Sequence, residues 1–200
     1  MDPLNVGILL YENVGLLDFA GPMEVLSSAA LPRAEKDHDI SLFNPIPIGK
    51  TVTPIVTSTG LHVMPNQSFD EVKNLDLLLV PGGPGALSIS RTSDEVKFIG
   101  EMAENVELVA TVSTGLRLAL LAGLGSGKRV VTHHAHAYEF SKEFSDSVFD
   151  PTYRYLDEDT IITSAGSAAG IDLAMYLVYK FFGDEAVQYT SRKIDYIFTP

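Results

Sequence analysis

Ser113-Thr114-Gly115 lies inside "LVATVSTGLRLALLAGL", residues 108–124, where an apolar strand pattern passes into a helical one. A residue on so tight a turn projects its side chain into a crevice. The amide of Thr114 then points toward an incoming oxygen, and the helix dipole adds positive potential there. That arrangement suits a nucleophile at Ser113. It also suits a serine N-cap, and local sequence alone favours the cap, because only the second glycine of G-x-S-x-G is present.

Three other groups invite chemistry. Gly82-Gly83 follow the apolar run of "LDLLLVPGGPGA" (75–86). Glycine there lets backbone approach a ligand closely, and an amide becomes a second oxyanion donor; the competing account is a simple turn. Asp18 opens a helical stretch, where a carboxylate is an ordinary cap unless it is desolvated and faces Ser113. His133, His134 and His136 form "HHAH". On a strand His134 and His136 share a face and His133 points the other way. No carboxylate lies at a ligand spacing, so no metal site is expected. His133 falls at the end of a predicted strand and is expected to line the same crevice as Ser113.

These residues need elements to position them. "LNVGILLY" (4–11) reads as a buried strand, and "LDFAGPMEVLSSAAL" (17–31) as a helix with Pro22 in a tolerated early position. "DISLFNPI" (39–46) is a second strand. "TPIVTSTGLHVMP" (53–65) is a hairpin turning at Thr59-Gly60. Residues 75–80 and 107–112 are apolar enough for strands covered on both faces. Between them, Thr92 and Glu95 form a capping-box pattern before a helix with Val96, Ile99, Ala103 and Val106 on one face. A helix over 114–124 ends in "GLGSG". "RVVTH" is a short strand and "HAYEFSKEF" a short helix. Residues 152–166 give two strands around a solvated turn at Asp157-Glu158-Asp159. Residues 167–183 and 184–196 are two further helices.

This alternation predicts one α/β domain over 1–200, with a mainly parallel sheet and helices on both faces. Ligands in such sheets bind beyond the carboxyl ends of the strands. Three loops leave those ends, and they carry Asp18, Gly82-Gly83 and Ser113.

Composition narrows the function classes. The net charge of −12 disfavours nucleic acid and anionic membrane as partners. The absence of cysteine excludes disulfides and thiolate metal sites. No basic leader or membrane-length apolar run is present, so a soluble cytoplasmic protein is expected. With no Rossmann fingerprint, P-loop or metal set, no cofactor is expected.

The segments "GLLDFAGPMEVL", "LDLLLVPGGPGA", "ATVSTGLRLALLAGL", "RVVTHH" and "ITSAGSAAGIDLAMYLV" together resemble the DJ-1/PfpI superfamily over nearly the whole chain. The resemblance implies a flavodoxin-like, class I glutamine amidotransferase-like fold. It is strongest to the isocyanide hydratase branch and to the ligand-sensing halves of AraC-type regulators. Those regulators carry a helix-turn-helix domain, which is not expected in a chain of this length. The family's nucleophile is a cysteine in C-T-G, and Ser113 stands there. The D-F-x-G-P motif matches Asp18-Phe19-Ala20-Gly21-Pro22, which implies Asp18 as the acid partner. The oxyanion donors map onto the amides of Gly83 and Thr114, and the crevice histidine onto His133. His134 replaces the tryptophan that usually follows.

The implied reaction is hydration of an isocyanide to an N-substituted formamide, or a related reaction of a small electrophile, in a homodimer with pockets near the subunit interface. Serine lacks a thiolate's low pKa, so three accounts of Ser113 stay open. It replaces cysteine in an inactive or ligand-trapping form. It belongs to a member using Asp18 and His133 for acid–base chemistry or ligand binding. Or it is a serine nucleophile with His133 as base, the weakest of the three, since no orienting carboxylate is evident. A glyoxalase- or deglycase-like activity is the remaining alternative.

Overall fold

A computed structural model describes residues 2–32 and 39–198. The chain begins with β1 (Leu4–Leu9) and α1 (Leu16–Ser28), followed by β2 (Ala30–Leu31), β3 (Ile40–Ser41) and β4 (Phe43–Gly49). The hairpin β5 (Ile55–Val56) and β6 (His62–Val63) precedes β7 (Gln67–Ser68) and β8 (Leu77–Val80). Then come α2 (Pro84–Ser88), α3 (Asp94–Ala103), β9 (Leu108–Val112), α4 (Gly115–Leu121), β10 (Arg129–Val130), α5 (His134–Glu143) and β11 (Val148–Phe149). β12 (Tyr155–Glu158), β13 (Ile161–Ser164) and α6 (Ala169–Ile194) complete it.

Seven strands form one sheet in the order β12-β13-β9-β8-β1-β4-β7, parallel throughout except for β12 with β13. Every residue of β8 and β9 is buried. Neighbours along a strand point to opposite faces, so both faces of the sheet are covered, as those apolar runs require. α1 packs against α6, and α3 against α4. This is the flavodoxin-like α/β arrangement. Among the described residues no helix is long and apolar enough to cross a membrane.

Several elements differ from expectation. The strand expected over 39–46 is split: β3 pairs with β2, and β4 runs on to Gly49. β4 carries Pro45 and Pro47, aligned with Val6 and Ile8 of β1. The Pro47 carbonyl accepts from Asn66 N–H on the other side, at 2.8 Å. The proline nitrogens therefore face the β7 side, where β4 pairs only through Ile48 and Gly49 and no donor is needed.

Pro22 lies in the interior of α1 rather than its first turn, because the helix already starts at Leu16. Its ring packs toward Gly170 of α6, where a Cβ would come within 3.3 Å of Pro22 Cγ. The expected box at Thr92 and Glu95 does not form, since α3 starts one residue later with Ser93 as N-cap. The same pattern does form at Ser68 and Glu71: the Ser68 amide and hydroxyl both donate to Glu71 Oε2 at 2.8 Å.

β10 is only two residues long and pairs with β11, outside the main sheet. Asp157 is more than a solvated turn. It accepts from the Tyr176 hydroxyl at 2.8 Å and pairs with Lys180 at 2.7 Å. α6 is interrupted at Gly183, φ 77° and ψ −172°, which gives the two helical segments expected there.

Candidate active site

The turn after β9 is built by close backbone contacts. A Cβ on Gly115 would lie 2.2 Å from the Val80 carbonyl oxygen, so glycine alone lets α4 start against the end of β8. The chain reaches that contact by turning left-handed at Ser113, φ 57°. A serine in this region costs about 1–2 kcal/mol, so the surroundings must hold it there. Its N–H donates to the Ser164 carbonyl at 3.0 Å, and its carbonyl accepts from the Thr132 hydroxyl at 2.7 Å. The N-cap expectation is therefore corrected. Thr114 is the N-cap, Ser113 lies outside the helix, and neither side chain caps it.

Thr114 uses its hydroxyl elsewhere. Oγ1 accepts the Gly83 N–H at 2.9 Å and donates to the Gly83 carbonyl at 3.0 Å. This corrects the expected role of the Gly83 amide, which is engaged by a side chain and is no free oxyanion donor. The Thr114 amide has no acceptor among the described residues. Gly82 explains how the loops converge. A Cβ there would stand 2.6 Å from the Thr114 nitrogen and 2.7 Å from Asp18 Oδ2. The Gly82 backbone is thus packed against both the acid and the amide, and only a residue without a side chain fits there.

Asp18, in the first turn of α1, is 2% exposed. Its Oδ1 has no hydrogen-bond partner among the described residues. Burial pushes its carboxyl above the usual carboxylate range, against the opposing pull of the Ser167 hydroxyl, the Gly82 amide and, more weakly, His133. An acid held this way keeps its proton further toward neutral pH than an exposed aspartate. Behind the loop, the fully buried Tyr11 hydroxyl donates to the Pro81 carbonyl at 2.6 Å and the Gly82 carbonyl at 3.0 Å.

Asp18, Gly83, Ser113, Thr114 and His133 line one cavity of about 240 Å³. Gly82 lies behind its wall. Sequence reasoning missed Ser58, Leu87 and Ser167, which also line it, and weighed His136, another lining residue, only as a metal ligand. Of the three missed residues, Ser167 left a signal, in the "SAGSAAG" turn before the last long helix.

His133 reaches the cavity differently than expected. It is the N-cap of α5, with Nδ1 accepting the Ala135 N–H at 3.3 Å. His134 and His136 lie on a helix rather than a strand, and the His133 and His134 rings stack with centroids 4.4 Å apart. Among the described residues no three His, Asp or Glu side chains group as a metal site. Burial lowers the His133 pKa, and its histidine neighbours lower it further. In the neutral ring the Nδ1 bond places the proton on Nε2. Nε2 is then a donor, and among the described residues His133 makes no hydrogen bond to Ser113, so no base is in place for a serine nucleophile.

The model of the DJ-1/PfpI family matches residues 5–180. The chain belongs to the DJ-1/PfpI family. An isonitrile hydratase of Pseudomonas putida is 32% identical to this DJ-1/PfpI member over 197 residues, 98% of this chain and 80% of that one. The transcriptional regulator GbdR of Pseudomonas aeruginosa is 27% identical over 187 residues, and the match spans about half of its length, 48%. Among solved DJ-1/PfpI-like folds, a THiJ/PfpI family protein from Pseudomonas syringae superposes with a TM-score of 0.84 at 20% identity, covering 100% of this chain and 78% of that one. Drosophila melanogaster DJ-1beta superposes with a TM-score of 0.80 at 15% identity, covering 98% and 100%.

Proposed function

We propose that this chain is a hydratase of the isocyanide type, working by acid assistance from Asp18 rather than by a nucleophile at position 113. The observation that carries the proposal is the buried Asp18 carboxyl with its raised pKa, lining one cavity with Ser113 and Thr114. The terminal carbon of an isocyanide, R–N≡C, is basic. Asp18 delivers its proton to that carbon, and a nitrilium forms. Water adds to the same carbon and returns a proton to the Asp18 carboxylate. The hydroxy-imine that results tautomerises to the N-substituted formamide. The Ser113 hydroxyl, which has no base to ionise it, orients the water, and the Asp18 carboxylate takes the proton that the water oxygen sheds as it gains positive charge. The likeness to isonitrile hydratase supports the choice of substrate. A homodimeric, cytoplasmic enzyme with a small-molecule substrate is part of the same proposal.

A second reading, a non-catalytic ligand-binding member, draws on the match to GbdR and on the missing base for Ser113. The deciding experiment follows formamide formation from a simple aryl isocyanide with the native chain, Asp18→Asn and Ser113→Cys. The hydratase proposal expects native turnover that Asp18→Asn reduces by about a hundredfold or more. Turnover by Ser113→Cys alone makes the native chain a ligand binder on a hydratase scaffold. No turnover by any form removes the isocyanide reading, and lactate from methylglyoxal then tests the glyoxalase alternative.

A further inference from the structure

His133 and Ser167 stand between two cavities. Both line the candidate site, and both line a second cavity of about 520 Å³ at the start of α6. The second cavity is unusual in its charge. The chain has 26 acidic residues against 14 basic ones, yet no Asp or Glu lines this space. Asp18 lines the first cavity, Asp70, Asp94 and Glu101 line a cavity beside α3, and Glu143 and Asp146 line one beyond α4.

The charged residue in its wall is Arg154. Nε donates to Asp172 Oδ2 at 2.7 Å, and Nη2 donates to the same oxygen. The Tyr196 hydroxyl holds Asp172 Oδ1 at 2.6 Å. The guanidinium is thus fixed from behind. Nη1 has no partner among the described residues, and the side chain is 62% exposed. A cation held in place with a donor to spare loses little entropy when it meets an anion.

We propose that this second cavity is a subsite for an anionic tail. The substrate is then an elongated molecule whose reactive head sits between Asp18 and Ser113. Its tail, a carboxylate or phosphate monoester, passes His133 and Ser167 to meet Arg154. The inference rests on the hydratase reading only for the identity of the head.

Calorimetric titration of the full chain tests it. The probes are N-formyl-ω-amino acids of increasing chain length, the matching N-formyl-ω-aminoalkyl phosphates, and the neutral carboxamides. Beyond the length that bridges the two cavities, an anionic probe is expected to bind about tenfold tighter than its carboxamide. Added salt should shrink that advantage. Arg154→Gln should abolish it, and Arg154→Lys should keep part of it. Should Arg154→Gln fail to fold, the chain-length dependence in the native protein decides the matter without a variant. No anion advantage at any length overturns the subsite. Binding needs no turnover, so the two proposals fail separately. An anion advantage without isocyanide hydration removes only the hydratase reading, and hydration without an anion advantage removes only the subsite.

Discussion

The Thr114 hydroxyl and the Gly83 peptide hold each other twice, Gly83 N–H to Oγ1 at 2.9 Å and Oγ1 to the Gly83 carbonyl at 3.0 Å. One side chain thereby fastens the loop after β8 to the loop after β9. Thr114→Val keeps the shape and removes both bonds. The expected loss is about 1–3 kcal/mol of unfolding free energy, read as a lower denaturant midpoint, with Thr114→Ser close to native. A Thr114→Val protein as stable as the native one would show that the clasp is not made in solution.

Asp18 gives a pH signature of definite sign. Its folded pKa is raised by burial, so above the ordinary aspartate range the folded state binds more protons than the unfolded chain. Stability from this group is complete below the unfolded pKa and falls as pH rises through the folded one. Other carboxyls oppose this trend, Asp94 and Asp157 among them, since theirs are lowered. The informative quantity is the difference between native and Asp18→Asn. The variant is expected to gain on the native protein as pH rises from the aspartate range toward neutrality. A difference running the other way would mean an ionised, well-solvated Asp18.

Two glycines should respond oppositely to alanine. Gly115→Ala drives a Cβ to 2.2 Å from the Val80 carbonyl and should cost about 1–3 kcal/mol, as overpacking does. Gly100 lies within α3 with its nearest neighbour for a Cβ at 3.9 Å. Gly100→Ala should stabilise by about 0.5–1 kcal/mol through helix propensity. Thermal melts of the two variants measure both signs.

The chemistry-bearing turns were legible because each is set by local sterics. Apolar strands run straight into Gly82-Gly83 and into Ser113-Thr114-Gly115, and the topology brings those strand ends together. What could not be read there depended on partners distant in sequence. Thr92–Glu95 and Ser68–Glu71 have the same spacing, and only packing decides that the second forms the box. The Gly83 amide looked free until Thr114, 31 residues away, was placed against it. His133 was expected on a strand, but β10 stops at Val130 and leaves the histidine to start a helix. Asp172 lies in the predicted helix 167–183, and nothing local marks its role. It is the anchor for Arg154 and Tyr196.

That anchor has an alkaline consequence. The Tyr196 phenol is pushed up to about 12, first by burial and then by its bond to Asp172. Tyr176 is pushed up to about 12 as well, by burial and by Asp157. Each raised group supports the fold fully below the ordinary tyrosine pKa of about 10 and withdraws that support as pH climbs through the folded value. Tyr196→Phe and Tyr176→Phe should each flatten the decline of stability across that window. Parallel curves for native and variants would place both phenols in water.

Strand β4 also shapes one border of the sheet. Its two prolines turn a donor-free stretch of backbone outward, and β7 covers only the last two residues. An incoming strand from another molecule would find no N–H to accept at Pro45 or Pro47, and the Pro47 carbonyl already taken by Asn66. The border therefore resists templated growth of the sheet. The same prolines that interrupt a hydrogen-bond ladder thus blunt this one border of the sheet.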